Sequence, residues 1–128
     1  MVRSVFALFG AQRVCMVSDS MMATGLKDGQ YALGGQPVNV KGRLATLENG
    51  TIAGSASNLM ECLRVAVKEM GIPLADAVLA STATPARSLG LYDECGSITA
   101  GKSADAVLLD QDLNIVQVIC RGKCLINK

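Results

Sequence analysis

RVCMVS, residues 13–18, is a short and mostly apolar run with polar residues on both sides, and Asp19 follows it directly. A strand with one wet face would alternate apolar and polar residues, so this run predicts a strand buried on both faces, as in parallel sheets. One parallel-type strand cannot form a sheet alone. It needs strand neighbours on both edges and helices on both faces. The reading of the remaining residues turns on whether they can provide those partners.

Residues 20–30 carry Gly25, Gly29 and the pair Lys27-Asp28, which mark a loop. Short apolar runs at 31–33, 38–40 and 43–47 are separated by Gly34-Gly35, Gly42 and Asn49-Gly50, which predicts small antiparallel hairpins. The run GTIAGSAS, 50–57, leads into a helix capped by Ser57 or Asn58, with Glu61 three residues after Asn58 and Leu59, Leu63, Ala66 and Met70 along one face. Gly71 ends that helix. Pro73 opens a second helix to about residue 83, and Thr84-Pro85 stops it and caps a third that ends at Gly90. Strands are expected at 96–99, 104–110, 115–120 and 123–126. Upstream, MVRSVFALFGA has a charge and an apolar stretch, but Gln12-Arg13 follow with no small-x-small cleavage site, so it predicts a helix rather than a secretion signal. One strand, hairpins, three helices and a terminal β meander make an awkward domain. Something in the chain's natural context is expected to be missing.

Composition narrows the function classes. With 128 residues, 50% of them hydrophobic, one ordinary core is expected. Twelve Lys and Arg against 11 Asp and Glu leave a net charge of +1, too little to gather nucleic acid or an acidic membrane surface. Only Phe6, Phe9, Tyr31 and Tyr92 are aromatic, which removes stacking platforms for single strands. Histidine is absent, and with it the commonest general base and the commonest zinc ligand. Five cysteines, Cys15, Cys62, Cys95, Cys120 and Cys124, are an odd number among apolar neighbours, as expected of free thiols acting as small hydrophobes in a reducing compartment. Cys120 and Cys124 lack the two-residue spacing of redox and zinc motifs. No apolar run approaches the roughly 18–20 residues that span a bilayer. A soluble, cytoplasmic chain is the expectation.

Five passages then carry a family resemblance: VSDS (17–20), KDGQYALGG (27–35), ENGTIAGS (48–55), TPARSLGL (84–91) and GSITAGKSADAVLLD (96–110). In this order and spacing they resemble the C-terminal part of N-acetylglucosamine-6-phosphate deacetylase, of the amidohydrolase superfamily. The resemblance implies an α/β fold: the C-terminal fragment of a (β/α)8 metal-hydrolase barrel plus the C-terminal strands of its small β-sandwich domain. It implies that 1–95 hold the last barrel strand, hairpin loops and closing helices, and that 96–128 hold the sandwich strands. Asp19 then stands at the carboxyl end of a barrel strand, where barrel enzymes place catalysis. In the family that aspartate takes a proton from metal-bound water and returns it to the leaving amine.

Without the resemblance, an Asp after a strand is most often a turn or cap residue. Gly54 and Ser55 have two readings that stay open: a loop lining the sugar-phosphate pocket, with backbone N–H groups free for oxygen atoms at a helix start, or an ordinary loop before a helix. Gly34-Gly35, Asn49-Gly50, Gly96, Gly101, Ala104 and Asp105 are expected to be structural. The family's metal ligands, a glutamate and two histidines, belong to upstream strands, so no metal or cofactor is expected on this chain alone, and a divalent ion of the zinc or iron class is expected in the complete enzyme. The expected partners are the missing N-terminal barrel portion or further copies of the chain, with an amino-sugar phosphate as substrate once the enzyme is complete. Alone, the chain is expected to be inactive and to associate. The rival reading is a non-catalytic oligomeric scaffold or interaction module derived from this fold.

Overall fold

The computed structural model describes residues 1–127. Helix α1 (Val2–Phe9) is followed by a 3-10 turn (Ala11–Arg13) and an irregular stretch to residue 28. Strands β1 (Gly29–Leu33), β2 (Gln36–Lys41), β3 (Leu44–Leu47) and β4 (Ile52–Ser55) form an antiparallel sheet in sequential order. Helices α2 (Leu59–Lys68), α3 (Leu74–Ser81) and α4 (Ala83–Ser88) come next, and β5 (Ala106–Leu109), β6 (Ile115–Cys120) and β7 (Lys123–Asn127) close the chain as a second antiparallel meander. No helix among the described residues is long and apolar enough to cross a membrane.

The hairpins form where the turn chemistry allows. Gly34 and Gly35 have φ of 57° and 82°, the left-handed region that glycine enters without steric cost, and they connect β1 to β2. Val38 and Val40 point to one face of β2 and, with Met21, Ala23 and Ala45, build the first core cluster. The second cluster lies on the helices: Leu63 and Ala66 of α2, Ile72, Ala77 of α3 and Leu113, with Phe6 and Met16 packed against them. Asn58 caps α2 by accepting from the Glu61 amide at 2.9 Å, as its spacing predicts.

The strand expected at 13–18 is not part of either sheet. Residue 13 ends the 3-10 turn and 14–19 run outside any ladder, because a strand is defined by its neighbours. The segment nevertheless alternates: Val14, Met16 and Ser18 are half-buried, while Cys15, Val17 and Asp19 are exposed, Val17 at 75%. It is therefore packed on one face and open on the other, not buried on both. Other boundaries shift too. Helix α3 is Leu74–Ser81 with Pro73 as its N-cap, and α4 starts at Ala83, two residues earlier than a Thr84 cap suggests. Thr84 lies inside α4, 3% exposed, and its hydroxyl donates to the Ala11 carbonyl at 2.8 Å, so its role is to tie the 3-10 turn to the helices.

The strand expected at 96–99 is a turn. Gly96 has φ 86°, and a Cβ there would lie 2.7 Å from Ala86 Cβ and 3.2 Å from Ala83 Cα, so the turn packs directly on α4. Beyond it, Asp105 accepts from the Arg121 amide at 2.6 Å and the Ser103 hydroxyl at 2.7 Å. Asp110 accepts from Asn114 Nδ2 and from the amides of Asp112 and Asn114, shaping the turn that drives Leu113 into the helical core at φ 63°. The five cysteines are unpaired; Cys15, Cys120 and Cys124 are exposed rather than apolar filling, and burial pushes the half-buried Cys62 thiol up.

Gly96→Ala should destabilise the chain by about 2–4 kcal/mol, the combined scale of left-handed strain and a core clash, read from a urea transition. Asp105 and Asp110 have carboxyl pKa values held below the usual range, the first mainly by the Arg121 amide and the second mainly by the Asn114 side chain. A depressed folded value stabilises above the unfolded pKa of about 3.9 and is lost as pH falls through the folded one. Urea midpoints should therefore drop below about pH 4, and Asp110→Asn should flatten that fall.

Candidate functional site

Asp19 ends the open face of segment 14–19, and its backbone is unusual for a non-glycine residue, with φ 50°. The next residue, Ser20, forms a parallel bridge with Ser55 at the end of β4. The Ser55 amide donates to the Asp19 carbonyl at 3.2 Å, and the Met21 amide donates to the Ser55 carbonyl at 2.9 Å. A Cβ on Gly54 would meet Met21 Cβ at 3.7 Å and the Asp19 carbonyl at 3.9 Å, an ordinary contact distance. The three residues singled out in the sequence, Asp19, Gly54 and Ser55, thus come together in space.

The amides at 55–57 are all engaged within the chain. The Ser55 amide serves Asp19, the Ala56 amide donates to the Arg43 carbonyl at 3.1 Å, and the Ser57 amide donates to Ser55 Oγ at 2.9 Å. Ser55 Oγ accepts in that last bond and keeps its own proton to donate. Ser18, Ser20 and Ser57 belong to the same cluster, and the sequence assigned none of them a part in the site. Their signal was the hydroxyl on each side of Asp19 in VSDS, which only a tertiary partner gives a meaning.

Two clefts open elsewhere. One of about 350 Å³ lies between 16–17 and α2, walled by Met16, Val17, Ser57, Glu61, Cys62 and Val65 among others. The other, about 550 Å³, lies by Arg64 and the 110–116 turn. Asp19, Gly54 and Ser55 line neither; Asp19 is exposed, and Gly54 and Ser55 are half-buried. No group of three His, Cys, Asp or Glu among the described residues could hold a metal ion.

Left-handed backbone favours glycine over any L side chain, so Asp19→Gly should leave the fold intact and raise stability by about 0.5–1 kcal/mol, whereas Asp19→Ala should lower it. Thermal melts of the two variants check this. A stability optimum that excludes the native residue is the behaviour of a strained functional position.

Comparison with known proteins bears on what this cluster belongs to. The family model described as "Amidohydrolase family" matches residues 11–125. N-acetylglucosamine-6-phosphate deacetylase of Bacillus subtilis is 39% identical over 117 residues, covering 91% of this chain and 30% of the relative. The Caenorhabditis elegans enzyme of the same name is 38% identical over 109 residues, 84% of this chain and 26% of the relative. Among solved structures, N-acetylglucosamine-6-phosphate deacetylase from Pasteurella multocida superposes with a TM-score of 0.92 at 28% identity, over 98% of this chain and 33% of that one. The Thermotoga maritima enzyme gives 0.89 at 37% identity, over 100% and 35%. The chain spans about a third of the length of these relatives, and its mixed α/β fold is a fragment of theirs. On the family match across nearly its whole length, the chain belongs to the amidohydrolase family.

Proposed function

We propose that this chain supplies the C-terminal part of a deacetylase acting on N-acetylglucosamine 6-phosphate, with Asp19 as its acid/base residue. The observation that carries this reading is the placement of Asp19: at the end of an extended segment packed on one face, left-handed at φ 50°, and bonded through its backbone to the Ser55 loop. Its carboxylate shares the open face with Cys15 and Val17, the face that would turn inward once the other strands of a barrel were in place. In this division, 1–95 complete the barrel and 96–128 join the small sandwich.

The reaction is hydrolysis of an acetamido group. As water adds to the carbonyl carbon, the Asp19 carboxylate takes one of its protons; as the C–N bond breaks, Asp19 returns that proton to the departing amine, giving acetate and the free amino sugar. The Ser55 hydroxyl, with its proton free, would donate to a substrate oxygen, and Gly54 would keep the approach to Asp19 clear. A divalent ion of the zinc or iron class finds no ligand set in these residues: the chain has no His, and its carboxylates and thiols do not gather in threes among the described residues. Ligands for such an ion would come from the two thirds of the relatives' length that this chain does not span. The partner is that remainder of the barrel. The exposed apolar residues Leu8, Phe9 and Val17 fit a surface that it would cover. Five unpaired cysteines suit the reducing cytoplasm.

The test is to combine the chain with the N-terminal remainder of the Bacillus subtilis relative, add divalent metal, and measure acetate release from N-acetylglucosamine 6-phosphate. The pair should be active, each part alone inactive, and Asp19→Asn should lower the rate about 10²- to 10⁴-fold, because an amide cannot take up the proton. Equal rates for the wild type and Asp19→Asn would show Asp19 to be a turn residue.

A further inference from the structure

The bonds that hold Asp19 run through the residues on each side of it. Ser20 Oγ donates to the Ser57 carbonyl at 2.6 Å, a short contact for a hydroxyl. Ser20 Oγ also has Ser18 Oγ within reach as a second acceptor at 2.7 Å, so its one proton serves two acceptors, of which the Ser57 carbonyl is the nearer. The acceptor is well anchored: Ser57 is 8% exposed, its amide is bonded to Ser55 Oγ, and the next residue, Asn58, caps α2. We propose that Ser20 is the positioning residue for Asp19, its hydroxyl clamping the chain to the Ser57 carbonyl so that the left-handed step at Asp19 is held against the N-terminal end of α2. This rests on the reading of Asp19 as the acid/base residue.

Asp19 favours neither its backbone conformation nor one direction for its carboxylate without support. The Ser55 amide holds it from the front at 3.2 Å, a weak bond, and the Ser20 hydroxyl holds the following residue by the shorter one. Removing the Ser20 hydroxyl leaves the Met21 amide on the Ser55 carbonyl, so the loop stays attached while Asp19 gains freedom. A proton shuttle displaced by a fraction of an ångström loses rate more than affinity, because substrate binding does not depend on its exact direction.

The experiment compares Ser20→Ala with Ser20→Thr, which keeps the hydroxyl, after circular dichroism shows both folded. In the full chain, exchange of the Ser55 amide proton should quicken about fivefold in Ser20→Ala, the scale of one net hydrogen bond, and stay near wild type in Ser20→Thr. In the reconstituted pair, Ser20→Ala should lower kcat about tenfold with KM within about twofold, and Ser20→Thr should restore most of it. Unchanged exchange in Ser20→Ala overturns the proposal, whatever the activity of the pair. Faster exchange with unchanged kcat also overturns it, since Ser20 would then be a structural pin only. A rise in KM alone overturns it by making Ser20 a substrate contact. A wild-type pair that releases no acetate tells against the functional reading instead, and the Ser55 exchange result then decides the role of Ser20.

Discussion

The parallel bridge between Ser20 and Ser55 is the constraint on which the two halves of this structure depend. Everything before it is helix, 3-10 turn and an extended segment without a ladder; after it, residues 21–28 form turns and residues 29–55 a self-paired antiparallel meander. By joining residue 20 to the end of β4, the bridge places Met21 and Ala23 in the core of the meander while Met16 packs on the helices. One short segment therefore enters both cores. Asp19 stands between them, with the positive φ of 50°.

The helical half is held by small residues and close backbones. Ala77 and Ala80 are fully buried on α3, and Ala83 and Ala86 let the Gly96 turn approach α4 more closely than any side chain at 96 would permit. Thr84 adds a directional contact by bonding the Ala11 carbonyl from inside the helix. The second meander joins this half through Leu113, whose carbonyl accepts from Arg64 at 3.0 Å, and through the exposed pair of Lys68 and Asp112. The exposed ion pair contributes little, so Leu113 burial and the Arg64 bond carry the attachment.

Asp19 is exposed and lines neither cleft. The clefts that do exist sit against α2 and against the 110–116 turn, where two elements of the same chain meet. A barrel interior needs strands around its full circumference. The family match over 11–125 and the coverage of about a third of the relatives agree with a mixed α/β fold that is a fragment of theirs.

Residue order alone determined the elements whose signals are local. The α2 cap at Ser57 or Asn58, of which the structure uses Asn58, the glycine turn at Gly34-Gly35, the amphipathic face of Leu63 and Ala66, and strands β6 and β7 follow from spacing and turn chemistry, because the interactions that make them lie within a few residues. The family of the passage around Asp19 was legible only by resemblance, because nothing local distinguishes an acid/base aspartate from a turn residue. Tertiary structure decided what depends on distant partners. It left 14–18 out of any sheet because strand pairing needs a neighbour, made Thr84 a tie to Ala11 rather than a cap, and turned 96–99 into a close turn because α4 lies against it. It also brought Ser20 to the Ser57 carbonyl across 37 positions of sequence, a hydrogen bond that no periodicity encodes because its geometry exists only after both cores have formed.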